Sequence, residues 1–161
     1  MNKAIFLDRD GVINHEISYT TRLEDFIILP DVIDLLSYLK SKGYLLIVIT
    51  NQGGLSKKLF TKEELEKMHA YLSDELSKSN VQLTEIYYCP HHPDSNSGKC
   101  ICRKPDSSMI EKAIARFKID PAKSYFIGDK QTDMQAGDKA GVKGVLVSKN
   151  VSLKFLKGII N

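Results

Sequence analysis

Apolar residues follow two kinds of pattern along this chain, and the two patterns alternate. Recurrence at helical spacing, as in Val32, Leu35, Leu36 and Leu39, predicts amphipathic helices. Continuous short runs are typical of strands buried on both faces. The runs that predict strands are residues 3–7, 44–49, 83–88, 124–127 and 144–147. The segments that predict helices are residues 31–41, 61–77, 106–117 and 132–141.

Local signals support several helix boundaries. Pro30 and Gly43 flank the first helix, and Thr61 with Glu64 has the spacing of a capping box at the start of the second. Either Thr132 or Asp133 is expected to cap the fourth helix. A further short helix is predicted in the tail.

Strict alternation of strands and helices predicts an α/β fold with a mainly parallel sheet covered by helices on both faces. Residues 1–161 form one predicted domain, because no linker, repeat or low-complexity tract divides them. Polar residues follow the first, second and fourth strands. Because the carboxyl ends of parallel strands share one edge of a sheet, these residues are expected to converge. They are Asp8, Asp10, Thr50, Asn51 and Asp129.

Two carboxylates, Asp8 and Asp10, leave the first strand two residues apart. Mg²⁺ would pair with such a set, and one carboxylate could then act as a nucleophile and the other as an acid/base. Asp10 followed by Gly11 is also a turn signal, so a simple hairpin is the alternative.

A second cluster predicts a structural zinc site in a loop at about residues 89–102. Three thiolates and one imidazole complete a tetrahedral zinc shell with no position open to water. Buried free cysteines are the alternative, and His92 could replace His91 as ligand. The predicted ligands are Cys89, His91, Cys100 and Cys102.

Composition narrows the function. A net charge of +3, without any block of like charge, gives no sign of a nucleic-acid or membrane partner. Three cysteines argue against a disulfide framework, and Asp8 and Asp10 interrupt any signal-peptide pattern. We therefore expect a cytoplasmic protein, and a monomer because no dimerisation element is evident.

Four ordered motifs resemble those of haloacid-dehalogenase (HAD) phosphatases, and the resemblance covers nearly the whole chain. It implies a three-layer, Rossmann-like HAD fold, and no insertion large enough for a cap domain is present. The motifs are residues 8–14, Thr50 with Asn51, residues 103–105 and residues 128–133.

The resemblance implies a phosphatase that forms an aspartyl-phosphate on Asp8, while Asp10 serves as acid and then base. Catalytic Mg²⁺ would be held by Asp8, the main-chain oxygen of Asp10 and Asp129, with Lys130 near the metal through its main chain. Asp133 would orient Lys104 or a metal-bound water, or it would only cap its helix.

The remaining motif residues are expected to contact the substrate. Thr50 and Asn51 would donate hydrogen bonds to the phosphoryl group, Lys104 would stabilise developing negative charge, and Arg103 would hold an anionic or hydroxylated group. Surface roles are the alternatives for Lys104 and Arg103.

Within the superfamily, the Cys/His loop resembles the branch of D-glycero-D-manno-heptose 1,7-bisphosphate phosphatases and histidinol-phosphate phosphatases. Heptose bisphosphate is the expected substrate, histidinol phosphate is the alternative, and a non-catalytic phosphate-binding regulator is a third hypothesis. Specificity would come from residues 14–24, 53–60 and 90–103, and residues 55–59 depart from the Arg-Gly turn usual in the family. The substrate-binding residues implied are Glu16, Tyr19, Asn51, Gln52, Gly53 and Arg103.

Overall fold

A computed structural model describes residues 1–94 and 100–161; residues 95–99, inside the predicted zinc loop, lie outside the described part. Five strands and four α-helices alternate as the sequence predicts, with short 3-10 helices at Leu23–Asp25, Pro121–Lys123 and Lys154–Gly158. The strands are β1 (Lys3–Leu7), β2 (Tyr44–Asn51), β3 (Glu85–Cys89), β4 (Tyr125–Gly128) and β5 (Lys143–Leu146). The helices are α1 (Val32–Ser41), α2 (Lys62–Ser77), α3 (Ser108–Phe117) and α4 (Gln131–Lys139).

The sheet is wholly parallel, with the strand order β3-β2-β1-β4-β5. The chain therefore leaves β1 in one direction to form β2 and β3, and later returns to the other side of β1 to form β4. In open α/β sheets, ligands bind at such a switch point, beyond the carboxyl ends of the strands. Here that point lies between β1 and β4.

Helices cover both faces of this sheet, which confirms the three-layer prediction. Alternate side chains of β1 point to opposite faces: Ile5 and Leu7 pack with α1 and α2, and Ala4 and Phe6 pack with α3 and α4. Within the described residues, no separate cap interrupts this alternation. The same residues include no helix long and apolar enough to cross a bilayer.

Most predicted boundaries differ from the observed ones by one or two residues, and two of these differences affect the site. β2 continues through Thr50 and Asn51, which pair with Tyr88 and Cys89 of β3, so both polar residues belong to the strand and not to the loop after it. The fourth helix is capped at Lys130 rather than at Thr132 or Asp133. Asp133 stands one turn inside, where its carboxylate accepts from the Lys130 N–H at 3.1 Å. The capping box of Thr61 and Glu64 is present as predicted.

Candidate active site

A cleft of about 640 Å³ opens at the carboxyl end of the sheet, at the switch point. It brings together residues that are up to 125 positions apart along the chain, because β1, β2 and β4 all end there. Thr50, which is buried in β2, and Asp129, which follows β4, are not among its lining residues. The predicted site residues that line it are Asp8, Asp10, Glu16, Tyr19, Asn51, Gln52, Gly53, Arg103, Lys104 and Lys130.

Lys104 makes a buried ion pair with Asp8. Its Nζ lies 2.9 Å from Asp8 Oδ1 and 2.7 Å from Asp133 Oδ1, and it also donates to the Ile49 carbonyl at 2.8 Å. Burial alone would lower the pKa of Lys104, but the charges of Asp8 and Asp133 raise it overall, so the ammonium stays charged. Only 4% of Lys104 is exposed, which argues against an ordinary solvated lysine. Its charge therefore points at Asp8.

Three side chains hold the Asp10 carboxylate in one orientation. Oδ1 accepts from Arg9 Nη2 at 2.8 Å and from Asn14 Nδ2 at 2.9 Å, while Oδ2 accepts from Gln52 Nε2 at 3.0 Å. Burial raises the pKa of Asp10, but the Arg9 charge and these hydrogen bonds lower it by more, so the net shift is downward. With Oδ1 occupied on the protein side, Oδ2 is the freer oxygen.

Asp129 has the environment of a cation ligand. Its Oδ1 is buried and has no hydrogen-bond partner among the described residues, and the carboxylates of Asp8, Asp129 and Asp133 come within 4.8 Å of one another. Burial, followed by the hydrogen bond and charge of Asp8, raises the pKa of Asp129 to about 7. Buried carboxylates this close repel one another unless a cation lies between them, and among the described residues Lys104 pairs with Asp8 and Asp133 but not with Asp129. The donor set therefore fits Mg²⁺.

Gly11 is needed beside that carboxylate. Its φ of +86° is a conformation that side-chain-bearing residues rarely adopt, and an added Cβ would lie 2.7 Å from Asp129 Oδ2. The glycine after Asp10 thus lets the turn approach the acidic cluster closely.

The side chains at the end of β2 contact neighbouring protein groups. Asn51 bridges the main chain of Lys104, accepting from its N–H at 3.0 Å and donating to its carbonyl at 3.2 Å. Thr50 Oγ1 accepts from Gln52 Nε2 at 3.0 Å. These contacts fix Lys104 and Gln52; phosphate binding by Thr50 and Asn51 remains a prediction.

Charged residues surround the mouth of the cleft. Glu16 pairs with Lys130 at 3.1 Å and with Lys149 at 3.7 Å, while Asn150 accepts from the Glu16 N–H at 2.7 Å. Burial would lower the pKa of Lys130, yet the charges of Asp8 and Glu16 raise it. The loop that carries Glu16 thus contacts the segment that follows β5, and Lys130 links it to the acidic cluster.

Three cysteine sulfurs and one histidine nitrogen gather beside the cleft, in a group that could hold a metal ion. The Cys89 sulfur lies 3.3 Å from Cys100 Sγ and 2.6 Å from Cys102 Sγ, and His91 Nδ1 lies 3.1 to 3.5 Å from all three sulfurs. His92 points elsewhere, with its Nδ1 accepting from the Asp94 N–H. The geometry therefore selects His91 over His92 as the imidazole of this cluster.

The Cys/His cluster is connected to the cleft by Arg103. Its Nη1 donates to the His91 carbonyl at 3.0 Å. An added Cβ on Gly53 would meet His92 at 3.0 Å and Arg103 at 3.2 Å, so the small residue makes room for both side chains. A metal in the cluster would fix the direction of Arg103.

Two site residues were missed in the sequence. Arg9 is 0% exposed and packs over the Phe26 ring, although charged residues are mostly exposed, so its type alone gave no sign of burial. His69 Nε2 lies 3.1 Å from Arg9 Nη1. The sequence did contain one signal for the burial of His69: its helical spacing from Leu65 and Leu72 places it toward the apolar side of α2. Burial, followed by the Arg9 charge, lowers the pKa of His69 to about 3.

The loop that departs from the family pattern carries backbone strain at Lys58, whose φ is +57°. A left-handed conformation costs an L-residue about 1–2 kcal/mol, and glycine removes this cost. Glycine also raises the conformational entropy of the unfolded chain, which cancels part of the gain. We therefore expect Lys58→Gly to raise the free energy of unfolding by about 0.5–1 kcal/mol. Urea denaturation measures it, with Lys57→Gly as the matched control at an unstrained neighbour. Equal effects of the two variants would contradict the strain.

Known proteins and solved structures resemble this chain over most of its length. A HAD-hydrolase-like family model matches residues 101–154. The D-glycero-beta-D-manno-heptose-1,7-bisphosphate 7-phosphatase of Haemophilus influenzae is 42% identical over 146 residues, which cover 89% of this chain and 79% of that protein. The protein of that name from Helicobacter pylori strain 26695 is 42% identical over 147 residues, 91% of this chain and 83% of that one. The crystal structure of a D,D-heptose 1,7-bisphosphate phosphatase from B. bronchiseptica, complexed with magnesium and phosphate, has a TM-score of 0.86 at 32% identity and covers 92% of this chain and 82% of that chain.

Proposed function

Because this chain belongs to the HAD-type family of heptose 1,7-bisphosphate 7-phosphatases, we propose that it hydrolyses the 7-phosphate of D-glycero-D-manno-heptose 1,7-bisphosphate. The observation that carries this proposal is the buried Asp8–Lys104 pair beside the unpartnered Asp129 oxygen. Together they provide a nucleophile, a fixed cation and a place for a metal, because the carboxylates of Asp8 and Asp129 come within 4.8 Å of each other.

The first step transfers the phosphoryl group to the protein. An Asp8 carboxylate oxygen attacks phosphorus, the bond between phosphorus and the sugar oxygen breaks, and Asp10 donates a proton to that oxygen. Asp10 must be protonated for this, and the negative charge of the bound phosphate favours its protonated form. The fixed ammonium of Lys104 stabilises the charge that develops.

The second step returns Asp8 to its starting state. Asp10, now a carboxylate, accepts a proton from a water that attacks the phosphorus of the aspartyl-phosphate. The bond between phosphorus and the Asp8 oxygen breaks, and inorganic phosphate leaves. The hydrogen bonds from Arg9, Asn14 and Gln52 keep Asp10 within reach in both steps.

Magnesium would be held by Asp8, Asp129 and the main-chain oxygen of Asp10, with Lys130 close through its main chain. When bound, it neutralises the repulsion between the nucleophile and the phosphate oxygens. The orphaned Asp129 Oδ1 supports this assignment.

The Cys89, His91, Cys100 and Cys102 cluster is proposed to hold a structural zinc ion. Three sulfurs and one nitrogen use all four positions of a tetrahedral shell, so no position is left for a substrate. The ion would order the loop before Arg103 and keep that guanidinium directed at the cleft.

Substrate contacts are proposed for Glu16, Tyr19, Gln52, Gly53 and Arg103. All five line the open cleft, which is consistent with specificity set by loops. Phosphate contacts by Thr50 and Asn51, the single-domain organisation, the monomeric state and the cytoplasmic location are proposals made from the sequence.

Steady-state kcat/KM on four substrates tests the proposal: the α and β anomers of heptose bisphosphate, histidinol phosphate and p-nitrophenyl phosphate. We expect one heptose anomer to be preferred over histidinol phosphate by about 100-fold or more, because polar groups placed for sugar hydroxyls would be left unpaired by the amine. Preference for histidinol phosphate would overturn the substrate. No turnover of any phosphate with Mg²⁺ present would favour a binding protein.

A further inference from the structure

A buried hydrogen-bonded chain runs from α2 to the acid/base carboxylate. His69 Nε2 lies 3.1 Å from Arg9 Nη1, while Arg9 Nε and Nη2 reach Asp10 Oδ1 at 3.2 and 2.8 Å. The Arg9 side chain is fully buried and its guanidinium lies 5.2 Å from the centre of the Phe26 ring. Arginine has donors only, so each of these contacts uses one or more of its N–H groups.

The donor-to-acceptor direction of these hydrogen bonds determines the protonation state of the His69 imidazole. Because Arg9 can only donate, His69 Nε2 must be the acceptor, which requires a neutral imidazole with its proton on Nδ1. The imidazole also packs near the Tyr88 ring, with the ring centres 6.0 Å apart. His69 thereby accepts a hydrogen bond from the Arg9 guanidinium, which is buried away from water.

The hydrogen bond to His69 helps to set the orientation of the Arg9 guanidinium. A buried guanidinium N–H without a partner would be costly, so Arg9 would turn to find another acceptor if His69 offered none. Any such turn would alter the contacts to Asp10 Oδ1. Asn14 and Gln52 would still hold the carboxylate, but without the Arg9 contacts to Oδ1 the direction of Oδ2 would be less well fixed.

We infer that His69 is a positioning residue: through Arg9 it orients Asp10 so that Oδ2 can transfer a proton to the leaving oxygen. It touches no substrate and no metal ligand. The inference rests on the proposed function, since it deepens the acid role of Asp10.

The sequence around His69 provides a matched pair of variants. His69→Leu removes the acceptor but keeps an apolar side chain on the face shared with Leu65 and Leu72, so the helix packing is retained. His69→Gln supplies an amide oxygen near the position of Nε2 and should restore the hydrogen bond. Comparing the two separates the acceptor from the packing.

Leaving-group dependence is the diagnostic measurement. A sugar alkoxide needs a proton as it departs, whereas p-nitrophenolate needs little help, so loss of acid catalysis slows only the first. In the Mg²⁺-loaded enzyme we expect His69→Leu to lower kcat/KM for heptose bisphosphate about 10-fold and for p-nitrophenyl phosphate less than about 2-fold. His69→Gln should stay within about 3-fold of the unchanged chain on both.

Asp10→Asn distinguishes the inference from the proposed function. If Asp10→Asn slows both substrates equally, the acid role of Asp10 is wrong and the proposed mechanism fails. If it slows mainly the sugar phosphate while His69→Leu slows both or neither, only the His69 inference is overturned. Equal loss in His69→Leu and His69→Gln would also overturn it.

A second readout needs neither substrate nor metal, and it holds even where His69→Leu fails to fold. Nitrogen-15 NMR of the imidazole rings at neutral pH should find His69 neutral, protonated at Nδ1 and unprotonated at Nε2. The His69→Gln spectrum assigns its signals among the four histidines. Protonation at Nε2 would overturn the inference.

Discussion

Asp8→Asn should lower turnover of heptose bisphosphate by about 10⁴-fold or more, because a carboxamide cannot form the aspartyl-phosphate. The fold should remain intact. Asn can still accept from the Arg9 N–H and from Lys104, the two donors that Asp8 Oδ1 uses at 2.9 Å. Loss of one negative charge also relieves repulsion with Asp129. We therefore expect a Tm equal to or above that of the unchanged chain.

The matched control is Asp74→Asn. It makes the same chemical change at an exposed carboxylate on α2 that does not line the cleft. It should keep full activity. Incubation with substrate labelled at the 7-phosphate with ³²P and rapid acid quenching should give protein-bound phosphate in the control but not in Asp8→Asn. Activity within tenfold of the control would show that Asp8 is not the nucleophile.

The second large effect is expected at the Cys/His cluster. Purified protein should contain about one zinc per chain, and His91→Asn should abolish that content after mild chelation, because three ligands no longer close the shell. Loss of a metal can cost about 4 kcal/mol, which for a chain of this length lowers Tm by about 8–16 °C. Arg103 donates to the His91 carbonyl, so kcat/KM should fall about 10-fold or more as well.

His92→Asn is the control for His91→Asn, since the His92 imidazole lies outside the proposed ligand set and its Nδ1 accepts from the Asp94 N–H. It should retain zinc and have a Tm close to that of the unsubstituted protein. Elemental analysis by mass spectrometry measures the metal content and its identity. A structural zinc site would be contradicted if the unsubstituted protein contained no zinc, or if the two variants had equal zinc contents.

Short-range patterns predicted most of the secondary structure. The Thr61–Glu64 capping box, the apolar runs and the helical recurrence around Leu35 all depend on neighbours within a few residues, and each element they predict is present. The errors occurred where tertiary contacts decide. Thr50 and Asn51 extend β2 because β3 offers hydrogen bonds to their backbone, although their polarity is typical of a loop.

Asp133 shows the same limit at the site itself. Its sequence position favoured a helix N-cap or a partner for Lys104. In the folded chain Lys130 is the N-cap, and the Asp133 carboxylate makes two contacts: Oδ2 accepts from the Lys130 N–H while Oδ1 pairs with Lys104. No local pattern can distinguish these alternatives, because Lys104 is 29 residues away in the chain.

The sequence alone therefore determined the alternating α/β order, the acidic strand ends and the three cysteines of the Cys/His cluster, since these depend on residue type and spacing. Only the tertiary structure decided that His91 rather than His92 joins the cysteines and that Asn51 clamps the Lys104 backbone. It also decided that Arg9 is buried between Asp10 and His69. The physical reason is desolvation: a charged or polar group takes a specific partner only where the fold removes water, and the elements that remove it come from distant parts of the chain.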